Sequence, residues 1–327
     1  MKALIISDKI PGHFNQSIGL VKLLSESVNI NYEIVDSEYK TPFLRSFFKL
    51  FHRYLSKNLN EKKSSLILKP FKHIDTDRFN LIISTGKKVS YHSAALSFKS
   101  GIKNIHIGTL KNVDPKYFDI HITSYEDNFS PNNIFTIIPP TRIAPLKETQ
   151  DNRKVLFLLG GNGAGYIFDQ DDWYNLIKNI RTLADKNKIK PIIVTSRRLN
   201  KYDEQFIYDG LYDICDENSV WFHKDNKKLN LQEVFQKVIC IFVSEESTTM
   251  TAESISSGLP VVTLYPKKFN PDKTFIDQVY RYEKMKLIKR HNINNNQLEI
   301  VLNIDNHSNI MHIREELKNQ VIRKLEL

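Results

Sequence analysis

Cysteine is nearly absent: Cys215 and Cys240 are the only two in 327 residues. That is too few for a disulfide framework, and no Cys/His spacing resembles a zinc site, so a reducing cytoplasm is the expected compartment. Long hydrophobic runs are absent as well. No stretch approaches the ~18–20 apolar residues that span a bilayer. The opening run of residues 3–6 is closed by Asp8 and is too short for a signal segment, so a first β-strand is expected there. No internal repeat is visible, and an Asn-rich loop at 292–296 is the only approach to low complexity. A Walker loop is excluded too, since no Gly-Lys-Ser/Thr follows the glycines of the second half.

What is present is enough for sizeable cores. The chain is 41% hydrophobic and 26% charged, which argues against wholesale disorder, and its length predicts two domains. The formal charge of +10 implies anionic company: nucleic acid, anionic lipid or phosphorylated substrates. No nucleic-acid recognition motif accompanies the charge, so that partner is set aside. Between Lys40 and His73 stand nine Lys/Arg against one acid, Glu61, interleaved with Phe43, Phe47, Phe48, Phe51 and Tyr54. A basic aromatic helix of this kind suits an anionic membrane surface, and it equally suits an inserted helix that packs its aromatics inward.

Short apolar runs alternate with helical periodicity along the chain. In the first half strands are expected at 2–7, 31–35, 81–84, 104–107, 120–123 and 134–138, with a helix at 16–27. Pro139, Pro140 and Pro145 lead into a polar stretch, which divides the chain into domains 1–148 and 149–327. The second half predicts strands at 154–159, 191–195, 219–223, 238–243 and 260–265. Helices are expected there at 171–186, 203–209, 231–237, 249–257 and 308–327, the last with Ile310, Ile313, Leu317, Val321 and Leu325 near a 3.6 period. This grammar predicts an α/β fold of two Rossmann-like doubly wound domains facing across a cleft, with the C-terminal helix a candidate to cross back.

Four motifs fall at carboxyl ends of predicted strands, where open α/β sheets bind ligands. In Ser7-Asp8-Lys9-Ile10-Pro11-Gly12-His13, with Asn15 and Gln16 beyond, Pro-Gly predicts a tight turn. Either His13 or Asp8 can take a proton from an acceptor hydroxyl, and an ordinary βα loop also fits. Gly160-Gly161-Asn162-Gly163-Ala164-Gly165 suits a turn whose amides point at phosphate beside a helix N-terminus. Ser196, Arg197 and Arg198 follow an apolar strand and can supply fixed positive charge to a diphosphate leaving group. From Ser244 to Pro260 a strand runs into a small-residue helix. There Glu246, Ser247, Thr248 and Thr249 supply polar groups and Glu253 lies one turn on. Asp169-Gln170-Asp171 matches an Asp-x-Asp metal motif, but the acids precede a helix and are expected to cap it, so no metal and no other cofactor is expected.

In this order and at these separations the motifs resemble the mitochondrial-fission ELM-type family, bacterial members included. Its pattern reads Asp-Gly-x-Pro-Gly-His-x-Asn-Gln-Ser, Ser-x-Gly-(Arg/Lys)-(Arg/Lys), Gly-Gly, Thr-Ser-Arg-Arg and (Thr/Ser)-Glu-(Asp/Glu)-Ser. Here stand Asp8 to Ser17, Ser84-Thr85-Gly86-Lys87-Lys88, Gly160-Gly161, Thr195 to Arg198 and Ser244 to Ser247, so the likeness covers most of residues 1–265. One position departs: Lys9 stands where the family has glycine.

That family is similar to the GT-B glycosyltransferases, and the last motif is similar to the donor site of the peptidoglycan GlcNAc-transferase. The resemblance implies transfer of a sugar from a nucleotide-sugar donor to a cell-envelope glycan or lipid-linked acceptor, metal-independent and inverting. It implies a place at the inner face of the cytoplasmic membrane. Glu253 becomes a ribose ligand. Donor contacts fall to Gly160, Gly161, Asn162, Ser196, Arg197, Arg198, Glu246, Ser247, Thr248 and Thr249. Acceptor contacts fall to Gly12, Asn15, Gln16, Gly86, Lys87 and Lys88, with His13 or Asp8 as base. A sugar-nucleotide 2-epimerase and a non-catalytic membrane-associated scaffold are the alternatives.

Overall fold

The computed structural model describes residues 1–41, 43, 48, 51–52, 54–125, 130–146, 154–225, 229–295, 297–302 and 306–326. Arg45, Phe47, Lys49, Leu50 and Arg53 of the basic stretch, and the polar linker at 147–153, lie outside the described residues. The chain divides into two compact units, Met1–Arg142 with His312–Leu327, and Ile143–Met311.

The first unit is built from β1 (Lys2–Ser7), α1 (Pro11–Leu24), β2 (Asn31–Asp36), α2 (Glu61–Leu68), β3 (Leu81–Thr85), α3 (Ser90–Ser100), β4 (Lys103–Ile107), β5 (Ile120–Thr123) and β6 (Asn133–Phe135). Its sheet is wholly parallel, in the order β2-β1-β3-β4-β5-β6. The central strands are continuous apolar runs because both faces are covered. Ala3 and Ile5 of β1 join Ile18, Leu20 and Leu24 on one face, while Leu4 and Ile6 join Phe79 and Leu96 on the other. Within the basic stretch, Leu55, Leu59, Ile67 and Phe71 pack with Tyr91 and Phe118, whereas Phe43 and Tyr54 are exposed.

The second unit contains β7 (Lys154–Leu159), β8 (Tyr166–Ile167), α4 (Gln170–Asn187), β9 (Lys190–Thr195), α5 (Lys201–Leu211), α6 (Leu231–Phe235), β10 (Cys240–Ser244), α7 (Thr248–Ser256), β11 (Val261–Tyr265), β12 (Lys268–Phe269), α8 (Lys273–Lys284) and β13 (Lys289–Asn292). Its main sheet is parallel, in the order β13-β11-β10-β7-β9. The strand expected at 219–223 is reduced to one bridge, Val220 to Val194, because Asp225 Oδ2 accepts the Trp221 amide (2.9 Å) and turns the chain away. With Val220 in third place the sheet follows the nucleotide-binding order 3-2-1-4-5-6. Trp173, Leu176, Ile180 and Leu183 form the buried stripe of α4.

The last helix, α9 (His307–Leu325), buries Leu317, Val321 and Leu325 among the β-strand residues of the first unit. Glu26 pairs with its Arg314 (2.7 Å) and Lys318 (3.3 Å). Apolar periodicity at 317, 321 and 325 explains why this segment belongs to that sheet's face.

Two local expectations are corrected. Helix α1 starts at Pro11 rather than at residue 16, and Pro11-Gly12 is its first turn, since proline's fixed φ suits that position and its missing N–H costs nothing there. The chain reversal falls instead on Lys9, whose φ of 66° lies in the left-handed region. This is the position where the family pattern carries glycine. Lys9 is held by its amide on Ser7 Oγ (2.9 Å) and by its ammonium on Glu38 and Asp36. Lys9→Gly is therefore expected to be more stable than Lys9→Ala by about 1 kcal/mol in denaturant unfolding, both variants lacking the ion pairs. Equal stabilities would show that the left-handed backbone is not strained.

Candidate functional site

In a parallel sheet, the loops on either side of a strand-order reversal leave for opposite faces and open a crevice at the strand ends. The first unit has that reversal between β1 and β3, the second between β7 and β10. The sequence motifs lie on these two pairs of loops, apart from Thr195 to Arg198, at the end of the neighbouring strand β9.

At the first reversal, Asp8 leaves β1 and His13 sits on the opening turn of α1. His13 Nδ1 lies 2.9 and 3.1 Å from the two Asp8 carboxylate oxygens, and Asp8 Oδ1 also accepts the Ile10 amide at 3.2 Å. Asp8 is 5% exposed and His13 35% exposed, so the carboxylate is buried beneath a ring that reaches solvent. A carboxylate on Nδ1 selects the tautomer with its proton there, leaving Nε2 to accept one. Gly86, at the end of β3, has φ 97°, and a β-carbon there would overlap Nδ1 of His13. Gly86 thus makes room for the ring, a role its sequence pattern does not announce. Ser17 Oγ and Thr85 Oγ1, 2.8 Å apart and buried, fix α1 to β3. Lys87 and Lys88 are exposed, Gly12 and Gln16 half-buried, and Asn15 Oδ1 accepts from Arg142 (3.3 Å).

At the second reversal, the loop after β7 meets the loop after β10. The Gly160 amide donates to Ser244 Oγ (2.6 Å) and the Gly161 amide to Glu246 Oε1 (3.4 Å). Those two amides, expected to point at phosphate, are therefore engaged within the protein. A β-carbon on Gly160 would overlap the Glu246 carboxylate, so the glycine is required by a buried side chain. Asn162 is likewise committed, its Oδ1 accepting the Phe168 amide at 2.8 Å.

The adjacent glutamates have opposite fates, because successive residues at a strand end point to opposite sides. Glu245 accepts two bonds from Arg290 (2.8 and 2.7 Å), one from Tyr166 (2.7 Å) and one from Thr263 (2.7 Å). Arg290 in turn lies 4.5 Å from the Tyr265 ring and 5.0 Å from Tyr280. Glu246 is 1% exposed, and its Oε2 has no partner among the described residues. Burial pushes its carboxyl up to about 7, against the opposing pull of Ser244 and Arg198.

Arg198 Nη1 donates to the Glu246 carbonyl at 3.1 Å and lies 3.8 Å from Oε1, with the arginine side chain still 41% exposed. Ser196 Oγ accepts the Arg198 amide (3.2 Å), while Arg197 is exposed. Ser247 caps α7 by accepting the Met250 amide at 3.4 Å. Thr248 and Thr249 occupy the first turn of α7, where amides lack intrahelical acceptors and the helix dipole favours an anion. Glu253 lies farther along the same helix, 8% exposed. Below the loop, Thr195 and Glu204 bond each other, and the amides of Phe222 and His223 donate to them at 2.7 and 2.8 Å.

Asp169 forms a capping box with Asp172 at the start of α4 (3.1 and 3.0 Å) and pairs with Lys268 at 3.1 Å. Its carboxylate is thus a helix cap, as the residues preceding Trp173 imply.

Because Glu246 is held nearer neutrality folded than unfolded, the folded state binds more protons between about pH 4.5 and 7. Its contribution to stability is present below that window and lost as pH rises through it. Glu246→Gln is expected to abolish that part of the fall, about 3 kcal/mol at about 1.4 kcal/mol per pH unit. Parallel stability–pH curves for the two proteins would contradict it.

The sequence profile of the family described as mitochondrial fission ELM1 matches residues 11–296. Among solved structures, the UDP-GlcNAc 2-epimerase from Methanocaldococcus jannaschii superposes with a TM-score of 0.55 at 12% identity, over 98% of this chain and 99% of that one. The S. aureus MnaA–UDP structure gives 0.50 at 12% identity over 100% and 97%. Acinetobacter baumannii MurG gives 0.49 at 10% identity over 99% and 92%. No curated protein matches the sequence. At these identities the structural likeness is one of fold, and the two Rossmann-like units are those of the GT-B class. With its profile matched over 11–296, the chain belongs to the mitochondrial fission ELM1 family.

Proposed function

We propose that this protein transfers a glycosyl group from a nucleotide-sugar donor to a hydroxyl of a cell-envelope glycan or glycolipid, with inversion and without metal. The observation that carries the reading is the Asp8–His13 pair at the first strand-order reversal, its ring pinned against Gly86. A base oriented by a buried carboxylate is the arrangement that proton abstraction from a hydroxyl requires.

In this mechanism His13 Nε2 takes the acceptor hydroxyl proton while the oxygen attacks the anomeric carbon. Asp8 stabilises the imidazolium that forms. The bond from that carbon to the donor's diphosphate breaks, and the nucleoside diphosphate leaves. Attack opposite the leaving group inverts the centre in one displacement. The second unit holds the donor: the first turn of α7 and the exposed part of Arg198 stabilise the departing diphosphate, and Glu253 binds ribose. Gly160 and Gly161 serve by admitting Glu246 and the 196–199 loop. The capping role of Asp169 supports a metal-free reaction, since helix amides and arginine supply the charge.

On this reading the protein works in the cytoplasm at the inner face of the cytoplasmic membrane, its basic stretch from Lys40 to His73 turned to anionic lipid. Among the described residues no helix is long and apolar enough to cross a membrane.

His13→Ala is expected to lower turnover about 10²–10⁴-fold with donor affinity unchanged, and Asp8→Asn to lower it by a smaller factor. Unchanged turnover in His13→Ala would remove the pair from the mechanism. Incubating nucleotide sugars without acceptor is the companion assay, because a new sugar formed there would make the protein a 2-epimerase.

A further inference from the structure

The first unit contains a cavity of about 950 Å³ that none of the motifs above lines. It lies beside α2 and α3, on the face of the sheet away from α1. Its lining combines two chemistries. Phe71, Ile74, Phe79 and Leu96 are buried and apolar and form its floor. Lys40, Lys62, Lys69 and Lys99 are exposed at its mouth.

The charge at the mouth is largely uncompensated. Among the described residues no carboxylate pairs with any of these four lysines, and Lys99 donates only to the Ser65 hydroxyl at 3.2 Å. Lys72, also in the lining, pairs with Glu38 at 2.5 Å, and Asp77 is the only acid among the described lining residues. Three of the four belong to the basic stretch noted in the sequence, and the fold adds Lys99 from α3. Clustered ammonium groups repel one another unless an anion sits among them. Lysine binds phosphate as a point charge on a flexible stem, while an apolar floor of this volume accommodates hydrocarbon.

A free phosphate would leave the floor unfilled, and a neutral hydrocarbon would leave the four charges unanswered. We infer that the cavity binds a single lipid phosphate, its chain on the Phe71–Phe79–Leu96 floor and its phosphate among Lys40, Lys62, Lys69 and Lys99. Such a site differs from general attraction to an anionic surface, which needs charge but no cavity. Naming the bound lipid as the anchor of the acceptor rests on the glycosyltransferase reading. The site itself is read by binding alone.

Titration calorimetry on the full chain tests it with farnesyl phosphate below its micelle concentration, against farnesol and inorganic phosphate. Farnesyl phosphate is expected to bind one to one, at least tenfold tighter than either control. The double variant Lys62→Glu/Lys69→Glu is expected to weaken it at least tenfold, and Lys62→Arg/Lys69→Arg to keep it within about threefold. Both sites are exposed, and circular dichroism confirms that each variant is folded. Farnesyl phosphate binding no tighter than inorganic phosphate, or unchanged affinity in the glutamate variant, overturns the inference. So does binding to phosphatidylglycerol vesicles without binding of the monomeric lipid. His13→Ala is expected to keep full lipid-phosphate affinity, so failure of the proposed chemistry and failure of this site are separable.

Discussion

Where a parallel sheet reverses its strand order, the two neighbouring connections must leave for opposite faces, and the strand ends between them stay uncovered. Each unit of this protein meets that constraint once, between β1 and β3 and between β7 and β10. The polar motifs follow from it. Apolar strands carry the chain into the core, and the first residues past their carboxyl ends are the ones free to be Asp8, Gly86, Gly160 or Glu246. Both reversals also show the same economy of space: a glycine at one strand end admits a polar side chain from its neighbour, Gly86 for His13 and Gly160 for Glu246.

The two glutamates after β10 show how one strand end serves two purposes. Glu245 is neutralised by Arg290 and locked by Tyr166 and Thr263, which ties β10 to β11, β13 and β8. Removing one partner of such a buried pair leaves an uncompensated charge, so the pair fixes the geometry in which its neighbour is displayed. Glu246, one residue on, keeps an oxygen with no partner among the described residues, and burial pushes its carboxyl up. A buried polar atom left open in an otherwise well-bonded loop is the kind of feature that functional sites retain.

Much of this was legible in the sequence. Continuous apolar runs marked β1, β3, β7, β9 and β10, and periodicity marked α4 and α9. The motifs fell where strands ended. Other features were illegible for physical reasons. The strand Lys289–Asn292 has no apolar residue, so nothing in its sequence marks it as the edge strand that supplies Arg290. Helix α3 hides a buried surface of serine, histidine and alanine, which hydrophobic periodicity does not detect. The Val220 segment reads as a strand until the Asp225 side chain, five residues on, takes the amide of the neighbouring Trp221. Pro11-Gly12 reads as a turn, yet proline is equally at home opening a helix, and the reversal fell on Lys9. The roles of Gly86 and Gly160 depend on contacts between strands far apart in sequence. A repeated pattern can point to such glycines, but only the fold explains them.

The proposed transfer requires the second unit to bind a nucleoside diphosphate at the β7–β10 reversal, with Arg198 and the first turn of α7 as its anion site. Titration calorimetry with UDP, GDP and ADP, on the intact protein and on Arg198→Ala, tests this binding. Saturable binding of at least one of the three is expected, weakened at least about tenfold by the substitution, the loss of one charge-assisted contact. Absence of binding by all three, or equal affinity in Arg198→Ala, would contradict it.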